Sequence, residues 1–208
     1  MHADASAPRI CEGLEGPARL VPIPHEDLGE EHREGVSYIR GLTGFPQDAP
    51  IHSFFRTMCH SPDFMMAFTR LGLEAIGRCA LPPRERELVI LRTGWLCDAP
   101  YQWGEHVASG RNAGLTGEEI ERIAQGSAAP GWSERDRALL RAVEELHFDK
   151  TIGDATWVLL ARHLDTRQLV ELPIITGHYH MAALLQNALR FAPNRDRHGE
   201  LFGGEYPE

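Results

Sequence analysis

Three features of the sequence predict an all-α fold. Helix-start and helix-stop residues recur between two Pro- and Gly-rich ends, apolar residues fall at helical spacing between those marks, and no window sustains an alternation of period two. The chain has 208 residues with 42% hydrophobic content, which is enough to fill a core.

The elements follow in order. Up to about Leu28 the chain is rich in Pro, Gly and Ala, and "RLVPIPHEDLG" reads as an extended arm that cannot be a helix, because each proline removes a backbone donor and restricts its predecessor. Residues 1–50 are therefore expected to form an N-terminal arm with a short helix. In "HSPDFMMAFTRLGLEAIG", Ser61 stands as N-cap, Pro62 at the first helical position and Gly77 past the end, with Phe64, Phe68, Leu71 and Ile76 near helical spacing. "PPRERELVILRTGWL" opens on proline and carries most of its charge in its first turn and a half. Pro100 starts the next helix with Asp98 or Ala99 as cap, and "APYQWGEHVASGRNAG" closes at Gly114. "TGEEIERIAQG" has a capping box from Thr116 to Glu119 and a closing Gly126, and "SERDRALLRAVEELHFDK" repeats the device with Ser133 and Asp136. "DATWVLLARHL" is a further helix. "TRQLVELPIITGHYHMAALLQNALRF" is the last, with Pro173 expected to kink or interrupt it. Helices occupy residues 51–192, and 193–208, broken by Pro and Gly, form a tail.

Composition excludes several classes of function. The net charge is -9, from 30 acidic and 21 basic side chains, and it repels phosphate backbones and anionic membranes alike. No nucleic-acid partner and no membrane association are expected, and no run approaches the roughly 20 apolar residues of a membrane span. Cys11, Cys59, Cys79 and Cys97 are scattered, with no CxxC pair, which fits a reducing, cytoplasmic setting and argues against a structural zinc site.

The chemistry-bearing residues concentrate in "LCDAPYQWGEH", directly after the apolar run "ELVILRTGW". On the second helix Ala99, Gln102 and His106 share one face, and Trp103, three residues before His106, can flank the imidazole. On the first, Glu87 is the acid deepest toward the apolar run, whereas Glu85, nearer the end, is expected to be solvated. A carboxylate entering an apolar layer and an imidazole across a short hairpin are natural partners, and such a pair can move protons. It can equally be a structural tie between two helices.

In order and spacing these segments resemble the carboxymuconolactone decarboxylase family, which belongs with the AhpD-like alkylhydroperoxidases. The resemblance covers roughly residues 51–191 and rests on "ELVILRTGWLCDAPYQWGEHVASGRNAGLTGEEIERI", "WSERDRALLRAVEELH", "DATWVLLARHLDTRQLVEL" and "YHMAALLQNAL". It implies an AhpD-like helical bundle built from helical hairpins, with the active site at the hairpin described above. The redox branch places a CxxC before the histidine, and here Ala99 and Gln102 occupy those two positions, so the nucleophilic and resolving thiols are missing. Cys97 lies two residues before the first of them. The chain is closer to the decarboxylase-like branch, in which an aromatic, an acid or amide, a Trp and a His follow one another, here Tyr101, Gln102, Trp103 and His106.

The resemblance implies a carbon–carbon lyase, or an isomerase, acting on a small lactone or carboxylate-bearing carbonyl compound without a cofactor. His106 would deliver the proton, Glu87 would orient it and Tyr101 would donate to the developing oxyanion, with Trp103 and Gln102 binding substrate. A peroxidase-related antioxidant acting through Cys97, or a non-catalytic small-molecule binder, is the alternative. A homo-oligomer is expected, a trimer first and a dimer or hexamer after it, because single-repeat relatives form hexamers and this chain has a weak internal echo between "RELVILRTGWLCDAPYQW" and "RQLVELPIITGHYHM". The N-terminal arm, with little to bury on its own chain, is expected to reach a neighbour.

In "GHYHM", His178 and His180 are candidates to line the pocket with Tyr179. Residues i and i+2 of a helix point about 200° apart, so no metal is expected at this HxH. His52, His60, His147 and His163 read as isolated structural residues, and Met58, Met65, Met66 and Met181 as core filling.

Overall fold

The computed structural model describes residues 14, 16–30, 32, 35, 37 and 51–191. Cys11, most of residues 31–50 and the tail 193–208 lie outside the described residues. Among those described, eight α-helices and one 3-10 turn can be bounded, residues 30, 32, 35 and 37 are also helical, and there is no strand. No helix of the described residues is long and apolar enough to cross a membrane. The chain divides into two compact units, one comprising residues 18–78 and the other residues 1–17 with 79–208.

The 18–78 unit contains α1 (Ser53–Met58) and α2 (Pro62–Gly77). "RLVPIPHEDLG" is extended except for a single 3-10 turn at His25–Asp27. It has more to bury on its own chain than the sequence suggested, because Ile23 and Leu28 pack against a cluster centred on Cys59 and Met65. Arg56 fixes this arm by donating from Nη1 to the Ile23 carbonyl at 2.7 Å. In α2, Pro62 takes the first turn, but Gly77 is the last helical residue and Arg78 the cap. Helix α2 turns Met65, Thr69 and Ala75 inward, whereas Phe64, Leu71 and Ile76 are exposed.

The other unit holds α3 (Pro83–Leu96), α4 (Pro100–Asn112), α5 (Gly117–Gln125), α6 (Glu134–Phe148), α7 (Asp154–His163) and α8 (Thr166–Leu189). Helix α3 is its centre and packs against α4, α5, α6 and α8. Every residue of 87–94 is buried, so α3 has no solvent face over two turns. Arg92, buried within this run, is anchored by donating Nη1 to the Ile123 and Ala124 carbonyls, both at 2.9 Å, and Nη2 to Glu144 at 2.9 Å. It thereby satisfies orphan carbonyls at the C-terminus of α5.

Caps set the remaining boundaries. Thr116 and Glu119 close a reciprocal capping box on α5. At α6, Ser133 accepts from the Asp136 N–H at 3.0 Å, but the reciprocal arm is diverted, since the Asp136 carboxylate takes Arg84 Nη1 at 2.8 Å and the Ser133 hydroxyl at 2.8 Å. Glu145 ties α6 to the start of α7 by accepting from Gly153 N–H at 2.9 Å and Thr156 Oγ1 at 2.7 Å. Helix α8 runs through Pro173 without interruption. The second copy of the internal echo therefore lies within one continuous helix, where the first copy turns a corner. Glu85 is not solvated: it accepts from Arg135 Nη2 at 2.7 Å with only 14% of its side chain exposed.

Candidate active site

The turn between α3 and α4 positions the site. Helix α3 ends in a Schellman arrangement, with Ala99 N–H bonded to the Gly94 carbonyl at 2.9 Å and Asp98 N–H to the Trp95 carbonyl at 3.1 Å. Asp98 supplies the left-handed residue this requires, at φ 47°. Asn187 of α8 pins the corner by donating Nδ2 to the carbonyls of Cys97 at 2.9 Å and Asp98 at 3.2 Å. Pro100 then opens α4, with Ala99 as its cap.

Two glycines let the helices of this hairpin approach closely. A Cβ on Gly94 would meet the Gln102 side chain at 3.2 Å, and one on Gly110 would meet Leu115 Cδ1 at 3.0 Å and Leu91 Cδ1 at 3.3 Å. Between these contacts Glu87 and His106 face one another. His106 Nδ1 and Glu87 Oε2 are 2.8 Å apart, with 14% of the imidazole side chain and 3% of the carboxylate side chain exposed. The other carboxylate oxygen, Oε1, is 3.5 Å from Arg86 Nε.

Helix α8 provides the neighbouring rings. Tyr179 meets the imidazole edge to face, with centroids 4.9 Å apart, and His178 lies 5.2 Å from Tyr179. Burial, reinforced by the Glu87 charge, pushes the Tyr179 phenol well above its ordinary range, so it stays protonated and can act only as a neutral donor. Burial, with His106 nearby, lowers His178 to about 4, which makes it a neutral imidazole at pH 7.

Glu87, His106 and His178 are thus brought to one place, together with Arg86 and Tyr179. The other predicted site residues go elsewhere. Tyr101 packs its ring on Phe191 at 5.5 Å, and Trp103 on Trp95 at 5.2 Å. Gln102 is buried against Gly94, and neither amide atom has a hydrogen-bond partner among the described residues. His180 turns away from His178 and joins His147, with Nε2 at 2.9 Å from His147 Nδ1, so His147 is not an isolated histidine. Arg86 was missed because an arginine in the charged first turn of a helix looks like every other solvated base there. Its one distinguishing signal is its position directly before the buried Glu87.

Thiol chemistry has little support in the geometry. Cys59 is buried, Cys79 and Cys97 are half-buried, and all three are free. Burial and the Asp98 charge hold the Cys97 thiol up to about 11.

The all-helical chain that carries this buried carboxylate–imidazole pair has the AhpD-like fold. Solved structures of that class match it: a peroxidase-related protein from Silicibacter sp. TM1040 superimposes with a TM-score of 0.72 at 19% identity, covering 89% of this chain and 96% of its own. An AhpD-core, peroxidase-related protein from Ralstonia eutropha JMP134 gives a TM-score of 0.71 at 20% identity, with coverage of 88% and 95%. The debrominase Bmp8, solved in complex with 2,3,4-tribromopyrrole, gives 0.66 at 14% identity, with coverage of 86% and 92%. No curated protein sequence matches the chain. Over residues 62–145, a segment that includes Glu87, the 97–99 corner and His106, the chain matches the model of the carboxymuconolactone decarboxylase family.

Proposed function

We propose that the protein is a cofactor-independent lyase or isomerase that moves a proton on a small lactone or carboxylate-bearing carbonyl compound. The observation that carries this reading is the 2.8 Å contact between His106 Nδ1 and the buried Glu87 carboxylate. Glu87 accepts from the Nδ1–H, fixes the ring and leaves Nε2 as the atom that exchanges a proton with substrate. Histidine is the side chain most often used to carry a proton to or from a reacting group.

In a decarboxylation the bond between the ring carbon and the carboxylate carbon breaks and carbon dioxide leaves. Its electron pair enters the conjugated carbonyl system as a dienolate. His106 Nε2 then delivers a proton to carbon, forming the new C–H bond, and water reprotonates the imidazole. The substrate is its own electron sink, so no organic cofactor is required. Tyr179 and Arg86, both beside the pair, are better placed than Tyr101 to meet negative charge on the carbonyl oxygen. Tyr101 and Trp103 instead hold the first turn of α4 in position. An isomerase would use the same parts, with a proton removed and returned in place of carbon dioxide loss.

A homo-oligomer, trimer first, is part of the proposal. Val170, Ile174, Met181 and Leu184 are all exposed along α8, at spacings of four, seven and three residues that keep to one stripe of the helix.

A second reading, hydroperoxide reduction through Cys97, is favoured by the 4.0 Å approach of Cys97 Sγ to His147 Nδ1 and by the names of the peroxidase-related structures. Against it, Ala99 and Gln102 stand where the two reactive thiols would be. The test is a panel of lactones and keto acids, followed by pH–rate and melting curves for His106→Gln and Glu87→Gln. His106→Gln is expected to fold and to lose about 10²–10⁴-fold in turnover. Glu87→Gln should slow turnover and shift the pH–rate profile, because a charge in contact with the imidazole is gone. Lowered melting temperatures with an unchanged rate per folded molecule would mean that the pair is packing. Peroxide-dependent thiol turnover that vanishes in Cys97→Ser would replace the lyase reading with the second one.

A further inference from the structure

On the side of α8 opposite to His178, three side chains from distant parts of the chain converge. Cys97 caps the end of α3, His147 lies in the last turn of α6, and His180 is in the middle of α8. Cys97 Sγ is 4.0 Å from His147 Nδ1, and His147 Nδ1 is 2.9 Å from His180 Nε2. All three donor atoms lie within 4.8 Å of one another, and each residue is half-buried. We propose that Cys97, His147 and His180 form a binding site for a divalent late-transition-metal ion, Zn²⁺ foremost, with its fourth position open to water.

The donor set suits such an ion. Zinc takes thiolate sulfur at about 2.3 Å and imidazole nitrogen at about 2.0–2.1 Å, so a tetrahedral site places its nitrogens about 3.3 Å apart and nitrogen from sulfur about 3.6 Å. The observed 2.9 Å and 4.0 Å fall on either side of these edges, and with all three donor atoms within 4.8 Å of one another, shifts of about 1 Å would convert one arrangement to the other. Three protein ligands and an open fourth position make the pattern of a reactive rather than a closed structural zinc. Imidazole and thiolate together select against calcium and magnesium, which prefer oxygen.

Each ligand is already held in a suitable orientation. His180 Nδ1 is 2.8 Å from the Thr176 carbonyl, so Nδ1 carries the hydrogen and Nε2 presents its lone pair to the cluster. An outward N–H bond to a carbonyl is the usual second partner of a metal-bound histidine. The Cys97 carbonyl is held by Asn187, which fixes the corner that carries the thiol. His147 is braced edge to face by Phe148 at 4.8 Å.

Without metal the same groups make a consistent set of neutral contacts, with His147 Nδ1–H donating to His180 Nε2. On binding, Cys97 releases its thiol proton to solvent and His147 moves its hydrogen from Nδ1 to Nε2, so two imidazole lone pairs and one thiolate face the ion. Lys150 and Arg92 bring positive charge toward His147, and Asp98 brings negative charge toward both His147 and Cys97. Binding a dipositive ion with loss of one thiol proton adds a single positive charge, which the Asp98 carboxylate beside Cys97 and His147 offsets. The i, i+2 divergence that sets His178 and His180 apart also keeps this cluster separate from the Glu87–His106 pair.

The test uses the tag-free full-length protein, stripped with a chelator and titrated with Co²⁺ and then Zn²⁺. One equivalent of cobalt should bind, with a near-ultraviolet thiolate-to-cobalt charge-transfer band and visible bands of tetrahedral intensity, and zinc should displace it. Cys97→Ser should abolish the charge-transfer band, whereas Cys79→Ser should keep it. His147→Gln and His180→Gln should each weaken binding by at least tenfold while melting as cooperative, helical proteins. X-ray absorption at the zinc edge of the wild-type protein provides a reading that needs no variant: one sulfur near 2.3 Å and two imidazole nitrogens near 2.0 Å in the first shell. Absence of saturable cobalt binding up to millimolar metal, a charge-transfer band that survives Cys97→Ser, or a first shell of oxygens alone would each overturn the proposal.

Discussion

Gln102 sits 1% exposed on the hairpin face of α4, and its Nε2 and Oε1 have no hydrogen-bond partner among the described residues. A buried amide in that condition forfeits its water without recovering the loss, at a cost of about 1–3 kcal/mol. Methionine has nearly the same length and is unbranched, with no amide to desolvate. Such volume-conserving changes cost less than about 1.5 kcal/mol in repacking, and the flexible thioether can settle against Gly94 where the amide now lies. Gln102→Met is therefore expected to stabilise the protein by about 1–2 kcal/mol. At roughly 2–4 °C per kcal/mol for a chain of this size, the melting temperature should rise by about 2–8 °C.

Thermal unfolding followed by far-ultraviolet circular dichroism gives the first measurement, and turnover on the substrate found by the lactone and keto-acid screen gives the second. The sequence assigns Gln102 to substrate binding, although the structure buries it against Gly94, and a substrate role would require its amide to find its missing partner in the ligand. In that case Gln102→Met raises KM by about tenfold, the equivalent of one hydrogen bond of about 1.4 kcal/mol, while the free protein becomes more stable. A fall in melting temperature would refute the stability argument, because it would mean the amide is satisfied in the native protein. A rise with unchanged KM would leave that argument intact and remove Gln102 from the substrate site.

Other expectations follow from the same contacts. Burial pushes the Glu119 carboxyl up, but the Thr116 N–H and the Arg84 guanidinium outweigh it and hold it below the usual 4.5. A depressed folded-state value stabilises the protein above the unfolded value and ceases to do so as pH falls through the folded one. The stability gap between wild type and Glu119→Gln should therefore be full at neutral pH and close in acid below about 4.5, as read by urea midpoints across pH; a gap independent of pH would contradict this. Gly110→Val should cost about 1–3 kcal/mol by overpacking against Leu115 and Leu91 and should lower turnover by displacing the α3–α4 seam that carries the Glu87–His106 pair; a wild-type melt would show that the close approach is not required. Light scattering should give a homo-oligomer at micromolar concentration, with a trimer first, and Leu184→Glu should lower its mass; a monomeric wild type would remove the oligomer from the proposal.

Much of the fold was legible because helix punctuation is local chemistry. Thr116 with Glu119, Pro62 and Pro100 each act on backbone groups within one turn, so spacing alone locates them. Where a cap competes with a distant partner, spacing fails: the Asp136 carboxylate that should have reached back to its own cap is taken by Arg84 instead. The helical spacing of Phe64, Leu71 and Ile76 located α2 but did not say which way they face, and all three are exposed, since periodicity shows that residues share a stripe and not whether that stripe faces the core. The Glu87–His106 pair was readable because a short corner forces two helices antiparallel, and positions on either side of it must then meet. Tyr101 and Trp103 lie on the same helix as His106, yet they find their stacking partners, Phe191 and Trp95, away from that pair. Cys97, His147 and His180 carried no common signal, since three helices bring them together.

The two charged residues buried in α3 separate structural from chemical roles. Arg92 spends both Nη1 hydrogens on two carbonyls and sets Nη2 on Glu144, all within the packing of α5 and α6, so its guanidinium is committed to tying those helices together. Glu87 is as deeply buried, but its partners are arranged differently. One oxygen faces Arg86, and the other holds an imidazole through only one of its two nitrogens. A purely structural tie would be as stable with an amide in place of either member, and would spare the protein the cost of desolvating a carboxylate. An ionisable pair instead keeps a proton that can be exchanged at the free nitrogen, next to the protonated Tyr179 phenol. The asymmetry between Arg92 and Glu87 supports placing the proposed chemistry at the second residue and architecture at the first.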